Sequence, residues 1–278
     1  MIIAFGSWRG TGATTAALLL AACAAEHGDA WLLEADPAGG VLAGRLQLPS
    51  GSIGGLERVA FPAQAGAAGE VLQTVAHRTG GLRVVSCPAD PFRAHACHLP
   101  RQAWARSLRE LPGTVVVDVG RLRAGTPVGP VLAAADVLLL VSSPEVCAAV
   151  GSIEWLHAAG VVAPGERGVP DLPVRLLVVD APGGVAFAEP TLRADLGEHW
   201  GGWLPWQPLD VDLLHRGATV DDRRLRRSPL VQAARSVLQG VASLRPPEVP
   251  VEAVAPVNAV EPQQPAASPA VVREEVAA

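Results

Sequence analysis

The stretch that decides the fold is Gly6-Ser7-Trp8-Arg9-Gly10-Thr11-Gly12-Ala13-Thr14-Thr15. Before it lies Ile2-Ile3-Ala4-Phe5, a short apolar run rich in strand formers. After it comes Ala16 to Glu26, rich in Ala and Leu and helical by propensity. Strand, glycine-rich turn and helix in this order open a nucleotide-binding βα unit. Such a turn aims backbone N–H groups and the positive end of the helix dipole at an anion. Gly10-Thr11-Gly12 followed by Thr14-Thr15 fits a phosphate loop whose hydroxyl residue reaches Mg²⁺, although the lysine position before Thr14 holds Ala13. Two other readings stay open on the loop alone. One is a dinucleotide turn of the G-x-G-x-x-G kind, with Glu34 or Asp36 reading a ribose, but its third glycine would be Thr15. The other is a tight strand-to-helix turn that binds nothing.

Working outward, Trp31 to Leu33 is a second apolar strand, ending in Glu34-Ala35-Asp36-Pro37. Further Val/Leu runs follow at Leu82–Ser86, Thr114–Val119, Val137–Ser142 and Val174–Asp180. Each is continuous rather than alternating, which is how strands covered on both faces read. Helical stretches are expected at about Arg101–Leu111, Pro127–Ala135, Pro144–Ala159 and Leu230–Leu244. The alternation predicts an α/β domain with a doubly wound, mostly parallel sheet over residues 1–243. Asp36 and Asp118 end strands on the loop's side of such a sheet. An acid there is placed to hold Mg²⁺ directly or through water, or to activate a water molecule. Either one alone reads equally well as a turn or cap residue.

The composition supplies ample core, with 49% hydrophobic and 18% charged residues, and a net charge of −5 gives no general reason to expect nucleic acid. All 22 basic residues other than histidine are arginine, a coding bias that could by itself remove a lysine from any one position. Cys23, Cys87, Cys97 and Cys147 are scattered with no CxxC pair, so neither zinc nor an iron–sulfur cluster is expected, and reduced thiols in or near the core are. Leu20-Ala21-Ala22-Cys23 has the form of a lipoprotein cleavage box. The residues before it lack the short basic start of a secretory signal, with Arg9 their only charge. No apolar run reaches the ~18 residues of a membrane span. The last 34 residues hold seven prolines and no aromatic residue, so a disordered acidic tail is expected over 244–278.

With these residues in order, the chain resembles the ParA/MinD family of deviant P-loop ATPases over about residues 1–243. The family loop K-G-G-x-G-K-T-T falls on Trp8 to Thr15, its D-x-D-P on Glu34 to Pro37, and its Walker B strand on Val115 to Asp118. Leu204-Pro205 falls on the family's Ile-Pro turn. The segments Asp212 to Gly217 and Ser228-Pro229-Leu230 look like the family's closing segment. The resemblance implies ATP and Mg²⁺ held through Arg9, Gly10, Thr11, Gly12, Ala13, Thr14 and Thr15. It places the metal at Thr14 and Asp118 and water activation at Asp36. Asp180, Pro205 and Trp206 would lie near the base, Asp180 standing where relatives place an adenine-reading Asn.

Two departures bear on chemistry. The family's signature lysine falls at Trp8 and its ordinary Walker lysine at Ala13, which removes charge stabilisation of phosphoryl transfer. Arg9 occupies a glycine position, where it either bends the loop away from phosphates or supplies charge from a new direction. The lysine-free Gly-x-Gly-Ala-Thr-Thr with Val117-Asp118-Val119-Gly120-Arg121 looks most like the CpaE/TadZ branch, whose members help localise Tad (Flp-type) pilus machinery. Many members of that branch carry an N-terminal receiver-like domain, which the present sequence, opening at strand one, is not expected to have. The implied function is a cytoplasmic positioning or assembly factor that binds ATP weakly or not at all. It would act through protein partners of an assembly or secretion machine, reach the membrane only through them, and form a nucleotide-dependent homodimer. A slow partner-stimulated ATPase in partitioning or division-site control is the alternative, and a dinucleotide-binding enzyme the more distant one. Arg223, Arg224, Arg226 and Arg227 form the one dense basic run. Asp221 and Asp222 precede it, so a solvated, partly self-paired face is preferred over DNA binding. Trp200, Trp203 and Trp206 are read as core or rim packing rather than a stacking platform.

Overall fold

The computed structural model describes residues 1–61, 68–99, 104–123, 125–161, 172–182 and 186–244. All of them fall in one unit, Met1–Arg245, and the expected tail lies outside the described residues. The strands are β1 (Ile2–Ser7), β2 (Ala30–Glu34), β3 (His77–Thr79), β4 (Leu82–Val85), β5 (Thr114–Arg121), β6 (Val137–Ser142), β7 (Val174–Val179) and β8 (Trp200–Leu204). They form one eight-stranded sheet in the order β3-β4-β2-β5-β1-β6-β7-β8, parallel except for the β3–β4 pair. The helices are α1 (Ala13–Ala24), α2 (Leu42–Arg45), α3 (Gly55–Ala60), α4 (Ala68–Val75), α5 (Pro91–Ala96), α6 (Gly129–Ala134), α7 (Val146–Val161), α8 (Glu189–Leu196), α9 (Pro208–His215) and α10 (Pro229–Ala242).

The continuous apolar runs bury both faces because alternate residues point to opposite sides of the sheet. Ile2 and Ala4 join the core that holds Leu56, Leu108, Leu156 and Leu192, whereas Ile3 and Phe5 join the core under α1 and α10. Helix α1 belongs wholly to the second layer. Leu18, Leu19 and Leu20 are consecutive and all buried, the pattern of a helix surrounded by protein. The Leu-Ala-Ala-Cys stretch lies in the C-terminal part of this helix, with Cys23 fully buried. Helix α10 is tied to the end of α1 by a two-pronged ion pair, Arg235 Nε and Nη2 donating to the Glu26 carboxylate at 2.8 and 2.5 Å.

Two of the expected helices differ in the structure. Of the helix expected over 101–111, the described part, Trp104–Glu110, is a 3₁₀ helix. It still buries Trp104, Ala105 and Leu108. The expected helix over 127–135 is α6, trimmed to six residues by Val128 before it and Ala135, in extended conformation, after it. Strand β3 and helices α2, α3, α4, α5, α8 and α9 had no expectation. No helix among the described residues is long and apolar enough to cross a membrane.

Candidate nucleotide site

The site gathers at the C-terminal edge of the parallel strands, where open α/β sheets place their ligands. Strand β1 delivers the chain into a loop held from three sides. Gly10 N–H donates to Ser7 Oγ at 3.1 Å, Thr11 Oγ1 donates to the Val141 carbonyl at 2.7 Å, and Leu122 N–H donates to the Ser7 carbonyl at 2.9 Å. Gly10 and Gly12 have φ of 74° and 98°, the left-handed region that glycine enters without penalty. Gly12 is the N-cap of α1, with no side-chain cap hydrogen bond. The orphan N–H groups of the first turn thus keep no side-chain partner, which is what an anion-binding helix start requires.

A cavity of about 580 Å³ runs from this loop to the ends of β7 and β8. That volume is in the ordinary range for a small-molecule or cofactor site. Arg9, Gly10, Thr11, Gly12 and Thr15 line its loop end; Asp180, Pro205 and Trp206 line the other, with Leu19, Leu204, Val211 and Leu230 as apolar wall between. These eight sequence-predicted residues are therefore brought together. Ala13 is buried behind the loop, and Thr14, Asp36 and Asp118 stand off the cavity wall on the β2–β5 side. Trp206 is half exposed at the rim, whereas Trp200 and Trp203 pack against the core.

Asp118 is the fully buried end of the β5 apolar run. Its Oδ1 accepts Gly120 N–H at 3.0 Å, and its Oδ2 is buried with no hydrogen bond of proper geometry. Burial pushes its pKa up to about 7; the nearby Thr14 hydroxyl and the Gly120 N–H act against this, while Glu34 and Asp36 add to it. A hydroxyl beside a buried carboxylate with an unused oxygen suits Mg²⁺, which takes one or two protein oxygens and fills its remaining sites with phosphate and water. Thr14 and Asp118 fit that ion as its protein partners. Among the described residues no cluster of three or more His, Cys, Asp or Glu could hold a metal by protein groups alone.

Glu34 is the register partner of Asp118 across β2–β5 but does different work. Its Oε1 accepts Val41 and Leu42 N–H at 2.5 and 2.8 Å, and its Oε2 accepts Cys87 N–H at 3.0 Å. Both oxygens are thus used to bind β2 to the loops at 41–42 and 87, and Glu34 is not available to read a ribose. Asp36 is half-buried, and its Oδ1 accepts Ala38 N–H at 2.8 Å. Burial raises its pKa, with the Ala38 N–H and the Arg121 guanidinium opposing.

Arg121 is the residue that sequence reasoning left without a role. The β1–β5 register slips between Phe5↔Asp118 and Ser7↔Arg121, so Val119 and Gly120 oppose Gly6 alone. This is a β-bulge, which re-aims the side chain that follows it. A Cβ at Gly10 would sit 2.7 Å from both Nε and Nη2 of Arg121. The guanidinium therefore lies over the loop, and neither it nor Arg9 makes an ion pair among the described residues. The signal in the sequence was Asp118-Val119-Gly120-Arg121, a glycine two residues after the buried Asp and followed directly by arginine. Trp8 folds back onto α7: a Cβ at Gly151 would sit 2.5 Å from its ring. The Arg9 guanidinium stacks 4.4 Å from the centroid of that same ring.

Two further expectations are corrected. Cys147 is exposed and lines the cavity, unlike the three buried cysteines. Arg223, Arg224, Arg226 and Arg227 are exposed and make no ion pair among the described residues; Asp222 Oδ1 instead accepts the Arg224 backbone N–H at 2.9 Å. The face is solvated, and the self-pairing does not form.

No protein-family model matches the sequence, and no curated protein matches it significantly. Solved structures do match the fold. The cell division ATPase MinD of Pyrococcus furiosus superposes with a TM-score of 0.64 at 17% identity, covering 88% of this chain and 99% of that one. A ParA family ATPase from Chlorobium tepidum gives 0.67 at 14% identity, covering 88% and 98%. The septum site-determining protein MinD of Pyrococcus horikoshii, complexed with Mg-ADP, gives 0.64 at 16%, covering 88% and 97%. The class is thus a P-loop NTPase fold, and within it the fold is that of the MinD and ParA ATPases.

Proposed function

We propose that this chain is a nucleotide-dependent positioning or assembly factor whose degenerate phosphate loop holds a magnesium nucleoside triphosphate with little or no turnover. By analogy with the neighbours the nucleotide would be ATP. The observation that carries the reading is the cavity joining the uncapped start of α1 to the ends of β7 and β8. Backbone N–H groups of Gly10 to Thr15 would take the phosphates, and Thr14 and Asp118 would hold Mg²⁺, which neutralises phosphate charge when bound. Apolar Leu19, Leu204 and Val211 exclude water along the wall. Ala13 leaves the loop without the cation that normally neutralises the β- and γ-phosphates, which supports binding without efficient hydrolysis. The sequence likeness to the CpaE/TadZ branch supports partners in a Tad-type pilus or secretion machine, reached as a nucleotide-dependent homodimer.

A second reading, a slow partner-stimulated ATPase in partitioning or division-site control, is favoured by one observation. Arg121 lies over Gly10 and acts on Asp36, so a cation does reach the side of the loop where the expected water-activating carboxylate stands. Titration of the chain with a ribose-labelled fluorescent ATP, with and without Mg²⁺, tests both readings when dimerisation and phosphate release are followed together. Saturable Mg²⁺-dependent binding without release is the outcome expected for the first. Release that disappears in both Asp36→Ala and Asp118→Ala would establish the second. No binding at millimolar nucleotide would leave only a scaffold.

A further inference from the structure

The base end of the cavity carries its own chemical instruction. Asp180 follows β7, and its backbone N–H donates to the Leu204 carbonyl at 2.9 Å, so β7 and β8 together fix its position. Its Oδ1 accepts Ala181 N–H at 2.9 Å, which orients the carboxylate and leaves that oxygen a second lone pair. Among the described residues its Oδ2 makes no hydrogen bond, and no arginine or histidine lies within ion-pair distance. Asp180 is half-buried on the cavity wall beside Pro205, Trp206 and Gln207.

An ionised carboxylate accepts hydrogen bonds and donates none. Guanine presents N1–H and N2–H side by side, two donors that match the two oxygens. Adenine presents the N6 amino group beside the N1 lone pair, so one oxygen gains a bond and the other faces an acceptor. The neighbours do not reverse this preference. The Gln207 carboxamide both donates and accepts, so it serves the guanine O6 or the adenine N6 equally. The Trp206 ring offers an apolar face to any base. We infer that the cavity selects guanine over adenine, the Asp180 carboxylate accepting from N1–H and N2–H of a guanine nucleotide. This rests on the reading of the cavity as a nucleotide site and changes the base that the analogy supplied.

The test uses the full chain with Mg²⁺ and ribose-labelled GTP, ATP and XTP, compared in wild type and Asp180→Asn. Wild type is expected to bind GTP at least about ten-fold more tightly than ATP, the worth of a charged hydrogen bond gained against one lost. Asp180→Asn places a donor beside an acceptor, which matches the N1–H and O2 of xanthine. It is expected to lose GTP affinity by a similar factor and to gain affinity for XTP. A gain of binding cannot come from misfolding. Equal or tighter binding of ATP by the wild type, or a GTP/ATP ratio unchanged in Asp180→Asn, overturns the base assignment and leaves the nucleotide site standing. No binding of any of the three at millimolar concentration overturns both.

Discussion

Burial decides what each ionisable residue near the sheet edge can do, and the partners decide whether it is structural or available. Glu34 and Asp118 are register partners and both almost wholly buried, and burial raises the pKa of each. Three backbone N–H groups consume Glu34, while Asp118 retains an unpartnered oxygen. The difference was not legible in the sequence, where both residues simply end apolar strands. His98 is the basic counterpart. It is buried against the edge of Trp104, its Nε2 makes no hydrogen bond, and desolvation, with His95 adding, pulls its pKa down from 6.5 to about 4. The unfolded chain takes a proton on this ring below about pH 6.5 that the folded chain refuses until about 4. Stability from His98 is therefore present above pH 6.5 and lost as pH falls toward 4, by on the order of 3 kcal/mol at most. The raised acids work in the opposite direction, Asp118 disfavouring the fold increasingly from about pH 4 to 7. Comparison with His98→Leu isolates the histidine. Denaturant titrations at pH 7, 6, 5 and 4 are expected to show wild type losing stability relative to the variant over that window. Parallel curves would place the ring in solvent.

At the scale of elements, the strands were legible because both faces of the sheet are covered and each strand reads as an unbroken apolar run. Strand β3 was not, since His77-Arg78-Thr79 is polar and its place depends on pairing with β4 across the turn at Gly80-Gly81. The bulge in β5 was equally hidden, because register exists only between strands. Yet that bulge organises half the site. Gly120 has φ of 67°, and a Cβ there would overlap the Asp36 carboxylate, so the glycine lets Asp36 approach while the slip in register carries Arg121 over Gly10. Gly120→Ala combines a left-handed strain with that overlap and is expected to cost about 1–3 kcal/mol of stability. It should weaken Mg²⁺-nucleotide binding as much as Arg121→Ala does, about ten-fold if the guanidinium contacts phosphate. Arg121→Ala itself should leave stability unchanged, since the side chain is exposed and makes no ion pair. Nucleotide affinity unaltered by either substitution, read in the same titration, would show that the cation over the loop does not reach the ligand.

For the whole molecule, the candidate site gathers residues 9–12, 15, 180 and 205–207 on the cavity wall and residues 13, 14, 36 and 118–121 beside the loop, which only the strand order brings to one edge. Strand-end acids and the glycine-rich turn announced most of it, because a parallel sheet must present those positions together. The charge over the loop depended on side-chain direction, which spacing does not carry. The division into a domain over 1–243 and a tail rests on composition, and it makes a prediction about the whole chain. The closing element, α10, buries Leu230, Val231, Ala234, Val237 and Val241 against α1 and the sheet, and Arg235 ties it to Glu26. Burying side chains of this kind contributes about 1.5–3 kcal/mol each for the larger ones, so the fold should need everything through α10. The residues beyond Leu244 are proline-rich, and their hydrophobic residues are Val and Ala alone, with no Leu, Ile, Phe or Trp to anchor a core. A chain ending at Leu244 is therefore expected to unfold at the same temperature as the full chain and to bind nucleotide with the same affinity. One ending at Arg227, without α10, should fail to fold cooperatively. A melting temperature lowered by several degrees in the longer truncation would place part of the tail within the folded unit and move the boundary beyond residue 244.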